Sequence, residues 1–288
     1  MKKIFMGLIM VLISLLPAKG FTKDSIILLT FGTTTNASET YEYVDKMFKK
    51  HFKDYNIEWA YASKIISNKE NLPSLSDKIV ELQEKGYNRF FVQPLFIYRA
   101  FMYHRLKSKT AKYNDRIYIS EPLLYRKEDY VKSLQYIEKY FIKDGLNLIV
   151  GHGTKKSLGD YKKIYEALDK TIKKNYKNAI LYTIDGFPGE SNLKTFLEKD
   201  IKIERLQVIP FMFVAGDHII NDILGEKDSL KSELSGKVDS ITAVKFNYKG
   251  KYYYMGLGFN KNIIEMFINK LEETINNARN RDRDKISN

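Results

Sequence analysis

The chain has 288 residues, 44% of them hydrophobic and 29% charged, with a formal net charge of +13 and no cysteine. That length accommodates one large domain or two ordinary ones, and the absence of thiols excludes both a disulfide framework and a thiolate metal site. The positive charge favours polyanionic small molecules or an anionic envelope surface, but no basic run is interleaved with aromatics, so no nucleic-acid partner is expected.

At the start, Lys2 and Lys3 precede an apolar run from Ile4 to Leu16, then Pro17 and the small residues Ala18 and Gly20. This is the order of a secretory signal peptide over residues 1–20, and the run is short for a bilayer span. The expected mature protein starts near Phe21, is exported to a periplasm and keeps no stable membrane anchor. Losing Lys2, Lys3 and Lys19 leaves it a charge of about +10.

Ser25 to Thr30 reads as a strand, followed by a Gly-Thr loop and a helix through Phe52 that Asn36 or Ser38 can cap. Ile57 to Ala62 is a second strand, Ser74 to Lys85 a helix closed by Gly86, and Arg89 to Pro94 a third strand. Leu106 to Tyr113 is helical, Ile117 to Ile119 a short strand, and Lys127 to Phe141 an amphipathic helix. The order then repeats: strand Leu146 to Val150, helix Tyr161 to Asn175, strand Ala179 to Ile184, helix Ser191 to Lys199 and strand Arg205 to Pro210. A helix from Ile219 to Leu224 with Asp217 as its cap, a strand from Val238 to Phe246 and a helix from Asn260 to Ala278 complete the chain. From Asn276 the residues are polar without apolar periodicity, which predicts a frayed tail. The expected domains are therefore an N-terminal half over 21–143, a C-terminal half over 144–275 that carries the metal ligands, and a polar tail over 276–288.

The repetition extends to sequence. Ile27-Leu28-Leu29-Thr30-Phe31-Gly32-Thr33 recurs as Leu148-Ile149-Val150-Gly151-His152-Gly153-Thr154, and Arg89-Phe90-Phe91-Val92-Gln93-Pro94 as Arg205-Leu206-Gln207-Val208-Ile209-Pro210. His152 thus replaces Phe31, and His218 replaces Met102. Alternating strands and helices in both copies predict two similar doubly wound α/β domains with parallel sheets and a cleft between them. In such sheets ligands bind beyond the carboxyl ends of the strands, where His152, Asp185 and His218 all fall. Two imidazoles and a carboxylate suit Co(II), Fe(II), Ni(II) or Zn(II), whereas Mg(II) or Ca(II) would want more oxygen ligands. The other two histidines, His51 and His104, are expected at solvent. Phe31, Phe96, Met102 and Phe187 can floor an aromatic ligand site. No Gly-x-x-x-x-Gly-Lys-[Ser/Thr] loop is present, so no nucleotide cofactor is expected.

Gly151-His152-Gly153-Thr154, Asp185-Gly186-Phe187-Pro188 and Val214-Ala215-Gly216-Asp217-His218-Ile219-Ile220-Asn221-Asp222 resemble the anaerobic cobalt chelatases, also called sirohydrochlorin cobaltochelatases. The resemblance runs from about Ser25 to Ile275 and takes in Thr30-Phe31-Gly32-Thr33, Val92-Gln93-Pro94 and Gly256-Leu257-Gly258. It implies a class II chelatase fold, with a tetrapyrrole in the interdomain cleft and the metal, as substrate, on His152, His218 and the acid at position 185. It also implies ATP-independent insertion of Co2+ or Fe2+, with Ni2+ a further substrate, in cobalamin- or haem-related metabolism. In the family that acid is a glutamate, one methylene longer than Asp185. Phe96 and Met102 stand where relatives often have a histidine and a glutamate, so the near wall of the cleft is more apolar. Phe31, Thr33, Phe96, Arg99, Met102 and Phe187 are the expected substrate-binding residues, with Arg99 available to ring carboxylates. Exported family members resemble oligomers that can hold haem, which makes a homo-oligomer and a haem or tetrapyrrole carrier the second expectation.

Overall fold

β1 (Asp24–Thr30) and β3 (Arg89–Pro94) are buried almost throughout, as continuous apolar runs in a sheet covered on both faces must be. With β2 (Asn56–Tyr61) and β4 (Ile117–Ile119) they form a parallel sheet of order β2-β1-β3-β4. The computed structural model describes residues 22–154, 159–198 and 203–287, so the expected signal peptide lies outside the described residues. The helices of this half are α1 (Glu39–His51), α2 (Lys64–Glu70), α3 (Leu75–Glu84), α4 (Phe101–Thr110) and α5 (Lys127–Glu138). A second sheet of β5 (Leu146–Gly153), β6 (Ala179–Asp185), β7 (Ile203–Pro210) and β8 (Val238–Ala243) is also parallel, in the order β6-β5-β7-β8. Its helices are α6 (Gly159–Asn175), α7 (Ser191–Leu197) and α8 (Leu230–Glu233). The two sheets have the same order, so the sequence repeat is a repeat of topology. In each, the chain changes direction between the two central strands, β1 and β3 or β5 and β7, which opens a crevice at their carboxyl ends.

One core joins the inner faces of both halves, uniting Ile26, Phe91, Ile149, Leu168 and Phe211 with Ile263, Phe267 and Leu271 of α9 (Lys261–Ser287). Separate cores fill the outer faces, around Leu29 and Phe90 in the first half and Leu148 and Val208 in the second. Although α9 follows the second half in sequence, it packs on β3, β4, α1 and α5 of the first. Its charged end is tied down as well: Arg89 pairs with Asp24 at 2.7 Å and with Asp282 at 2.5 Å, and Arg279 donates to the Tyr55 hydroxyl at 2.8 Å. The frayed tail expected from Asn276 is therefore a continuation of the helix, because its polar residues find partners on the first half.

Other differences are local. The strand expected over Val238 to Phe246 divides into β8 and a hairpin of β9 (Lys245–Tyr248) and β10 (Lys251–Tyr254). Helix α4 begins at Phe101, five residues before the expected Leu106, and a single 3₁₀ turn continues it to Tyr113. Neither Asn36 nor Ser38 caps α1 by its side chain. Thr35 instead accepts the Ala37 N–H at 3.3 Å at the head of a 3₁₀ turn. Among the described residues no helix is long and apolar enough to cross a membrane.

Candidate metal centre

His152 is the penultimate residue of β5, and His218 opens the turn that follows β7. These are the two central strands of the second sheet, so both imidazoles stand at its switch point. Their ring centroids lie 4.6 Å apart with the planes at 90°. The Nδ1 of His152 is 3.0 Å from the Gly153 carbonyl, and the Nδ1 of His218 is 2.6 Å from Asp222 Oδ2. A carbonyl or carboxylate oxygen can only accept, so each Nδ1 carries a hydrogen, and Nε2 is the nitrogen each ring has to offer a metal. His152 is exposed and His218 half-exposed, as an ion arriving from solvent requires.

The loop that holds His152 depends on its two glycines. A Cβ on Gly151 would lie 3.0 Å from Tyr165 Cε1 and 3.1 Å from the Tyr98 hydroxyl. Gly153 adopts φ +76°, and a Cβ there would lie 1.7 Å from the Asp185 carbonyl oxygen. Tyr165 accepts the Gly153 N–H at 2.7 Å, and burial pushes its hydroxyl pKa up, so it stays neutral in that role. Tyr98, from the first half, packs against Tyr165 at 4.8 Å, and its buried hydroxyl has no hydrogen-bond partner of good geometry among the described residues.

The helix expected to start at Ile219 under an Asp217 cap is a π-helical turn, His218–Ile223, with no side-chain cap. The Asp217 carboxylate instead accepts from Asn221 Nδ2 at 2.7 Å, four residues on, in parallel with the His218–Asp222 pair. π turns recur at functional sites because they re-aim side chains within a helix.

Asp185 is the third donor expected beside the two histidines. Among the described residues, no group of three His, Asp or Glu side chains stands close enough to hold an ion. Asp185 closes β6 in register with Gly153, the residue after His152. The Asp185 carbonyl accepts the Thr154 N–H at 2.9 Å, holding the two strand ends together.

Residues of the first half close the other side. Phe31, after β1, stacks on Phe96, after β3, at 4.7 Å; Phe96 is buried and Phe31 is 43% exposed. An aromatic pair thus occupies the switch point of the first sheet where an imidazole pair occupies that of the second. Thr33 bonds Thr35 at 3.0 Å, and both hydroxyls lie 3.0 Å from where a Cβ on Gly216 would be, two residues from His218. Met102 packs into the outer core, Arg99 lies over the Tyr125 ring at 4.8 Å, and Phe187 is 41% exposed beside a cis peptide to Pro188. His51 is not simply solvated, since its Nε2 meets Glu272 Oε1 at 2.7 Å. Sequence reasoning missed Asp222, Tyr98 and Tyr165. The i,i+4 spacing of His218 and Asp222 was the one signal available, whereas the tyrosine contact joins separate halves.

The fold matches solved chelatase structures at low identity. SirB from Bacillus subtilis with Fe3+ has a TM-score of 0.60 and 14% identity, with 90% of this chain and 98% of that chain covered. The sirohydrochlorin chelatase SirB from Bacillus subtilis subspecies spizizenii in complex with cobalt gives 0.55 and 17%, with 89% and 97% covered. DR2241 from Deinococcus radiodurans, a multi-domain protein described as structurally similar to chelatases, gives 0.55 and 9% over 86% of this chain and 54% of that one. Agreement with the first two over nearly their whole length shows a shared two-domain fold. In sequence, the model of the cobalt chelatase family, CbiK, matches residues 24–276, both halves and both histidines included, so the chain belongs to the cobalt chelatase family and is a metal chelatase.

Proposed function

We propose that this protein inserts Co2+ or Fe2+ into a sirohydrochlorin-like tetrapyrrole without nucleotide, in the cleft between its two switch points. The observation that carries the proposal is the imidazole pair, two lone-pair nitrogens at 4.6 Å ring separation facing a half that offers an aromatic surface. His152 and His218 receive the divalent ion and leave its remaining positions to water and to the incoming ring nitrogens. Entry of M2+ expels two pyrrole N–H protons, and an imidazole that has released the ion is a base within reach of them. Phe31 supports the face of the macrocycle, and Arg99 is available to its carboxylates. Export is part of the same proposal, and rests on the order of charged, apolar and small residues over 1–20.

The test is anaerobic incubation of the protein with sirohydrochlorin and Co2+, followed by absorbance. Wild type should metallate the ring faster than the protein-free mixture, and His152→Ala or His218→Ala should abolish the difference. Equal rates with and without protein would sink the catalytic reading. A second reading, an exported haem or tetrapyrrole carrier, is favoured by the apolar Phe31–Phe96 wall and by the lack of a three-donor group among the described residues. Tight haem binding that survives loss of both histidines, with no metallation, would select it.

A further inference from the structure

We propose that Asp222 is a positioning residue: it fixes the ring of His218 as the Nδ1–H tautomer, so that Nε2 is the nitrogen offered to the metal. The inference deepens the metal-insertion reading of this site and rests on it. His152 needs no such partner, because the neighbouring Gly153 carbonyl already accepts its Nδ1–H at 3.0 Å. His218 has no equivalent carbonyl contact. The only bond its Nδ1 makes among the described residues is a short one to Asp222 Oδ2, at 2.6 Å, as a hydrogen bond to a carboxylate tends to be. An imidazole with one nitrogen held by an acceptor presents the other to a ligand, and the group that holds it governs both ring orientation and metal affinity.

The backbone supports this assignment. The turn from His218 to Ile223 is π-helical, and the Leu224 N–H donates to the Ile219 carbonyl five residues back, at 3.1 Å. Two i,i+4 side-chain pairs run side by side along it, His218 with Asp222 and Asn221 with Asp217. The Asp217–Asn221 bond keeps the neighbouring carboxylate occupied and away from the imidazole. Ile219 and Ile223 are fully buried, which anchors the turn from below and leaves the dyad on its accessible side. Asp222 is thus an acceptor for the histidine, and the geometry assigns it no direct bond to the ion.

The experiment uses the whole protein and two variants, Asp222→Ala and Asp222→Asn. Long-range ¹H–¹⁵N spectra of the metal-free protein report the His218 tautomer, and titration with Co2+ alone reports affinity without any tetrapyrrole. Wild type should show Nδ1–H at His218. Asp222→Ala should shift it toward Nε2–H and weaken Co2+ binding by about 10–100-fold. Asp222→Asn retains an acceptor oxygen and should restore the tautomer and most of the affinity. An unchanged far-UV spectrum and unchanged His51 resonances show that the fold survives each substitution. Retention of Nδ1–H in Asp222→Ala overturns the proposal, and so does a tautomer shift that leaves Co2+ affinity at the wild-type value. A wild type that binds Co2+ through His218 yet never metallates a ring would defeat the functional reading while leaving this one standing.

Discussion

Gly153 holds a left-handed φ of +76°, with the Asp185 carbonyl oxygen 1.7 Å from where its Cβ would be and its own N–H bonded to Tyr165. A side chain there meets two separate penalties, an unfavourable backbone region and a collision with main chain that cannot swing aside. Gly151 is a milder case, since its φ is ordinary and the nearest atoms, at 3.0 and 3.1 Å, belong to tyrosine side chains. Gly153→Ala should therefore cost more than about 1 kcal/mol in denaturant unfolding and should weaken Co2+ binding as His152 is displaced. Gly151→Ala should do less of both. Equal stability of Gly153→Ala and wild type would show that the loop tolerates a different path. The Gly-His-Gly string was visible in the sequence, but its physical reason was not, since Tyr165, Tyr98 and Asp185 reach it from other parts of the chain.

At the scale of elements, α9 is attached to α5 through a buried ion pair. Lys270 Nζ lies 2.8 Å from Asp129 Oδ2, both side chains being 7% exposed, and the same carboxylate accepts the backbone N–H groups of Tyr125 and Arg126 at the head of α5. Removing the acid leaves the buried ammonium only Glu121 among the described residues, at the longer distance of 3.4 Å, and also uncaps a helix. Asp129→Ala should consequently destabilise the protein by about 2–4 kcal/mol, read as a fall in the unfolding midpoint. A change under about 1 kcal/mol would mean that Glu121 or water takes over from the lost carboxylate. The central strands were legible because β1, β3 and the middle of β5 are apolar runs between turn residues. The elements that escaped lack that signal. Helix α2 buries no residue, so it has no apolar stripe to detect. The β9–β10 hairpin turns on Lys249 and Gly250 at φ +51° and +78°, where a lysine replaces the usual asparagine or aspartate. The π turn differs from an α-helix by one residue per hydrogen bond, which composition does not encode.

Across the whole molecule, duplication has produced halves with different chemistry and then tied them together. The hairpin reaches back to α1 through Tyr43 against Phe246 and Tyr248, and through Lys249 with Glu42, while α9 spans the first sheet. Such ties hold one rim of the cleft at a defined distance from the other, which a planar ligand handled from both faces would require. The second half supplies lone-pair nitrogen and the first an exposed aromatic face, so binding of the ion and binding of the ring should be separable by mutation. Phe31→Ala removes the ring stacked on Phe96 and should raise the dissociation constants for sirohydrochlorin and haem by roughly two- to tenfold, equivalent to about 0.5–1.5 kcal/mol of aromatic contact. Its affinity for Co2+ alone should stay at the wild-type value, because no metal-binding nitrogen is touched. His152→Ala should show the reverse: Co2+ binding lost and ring binding largely kept. Absorbance titrations of the tetrapyrroles beside calorimetry of the bare ion distinguish the outcomes. If Phe31→Ala weakens Co2+ and ring alike, the two halves form one indivisible site, and the contrast between the aromatic and imidazole pairs has no functional meaning.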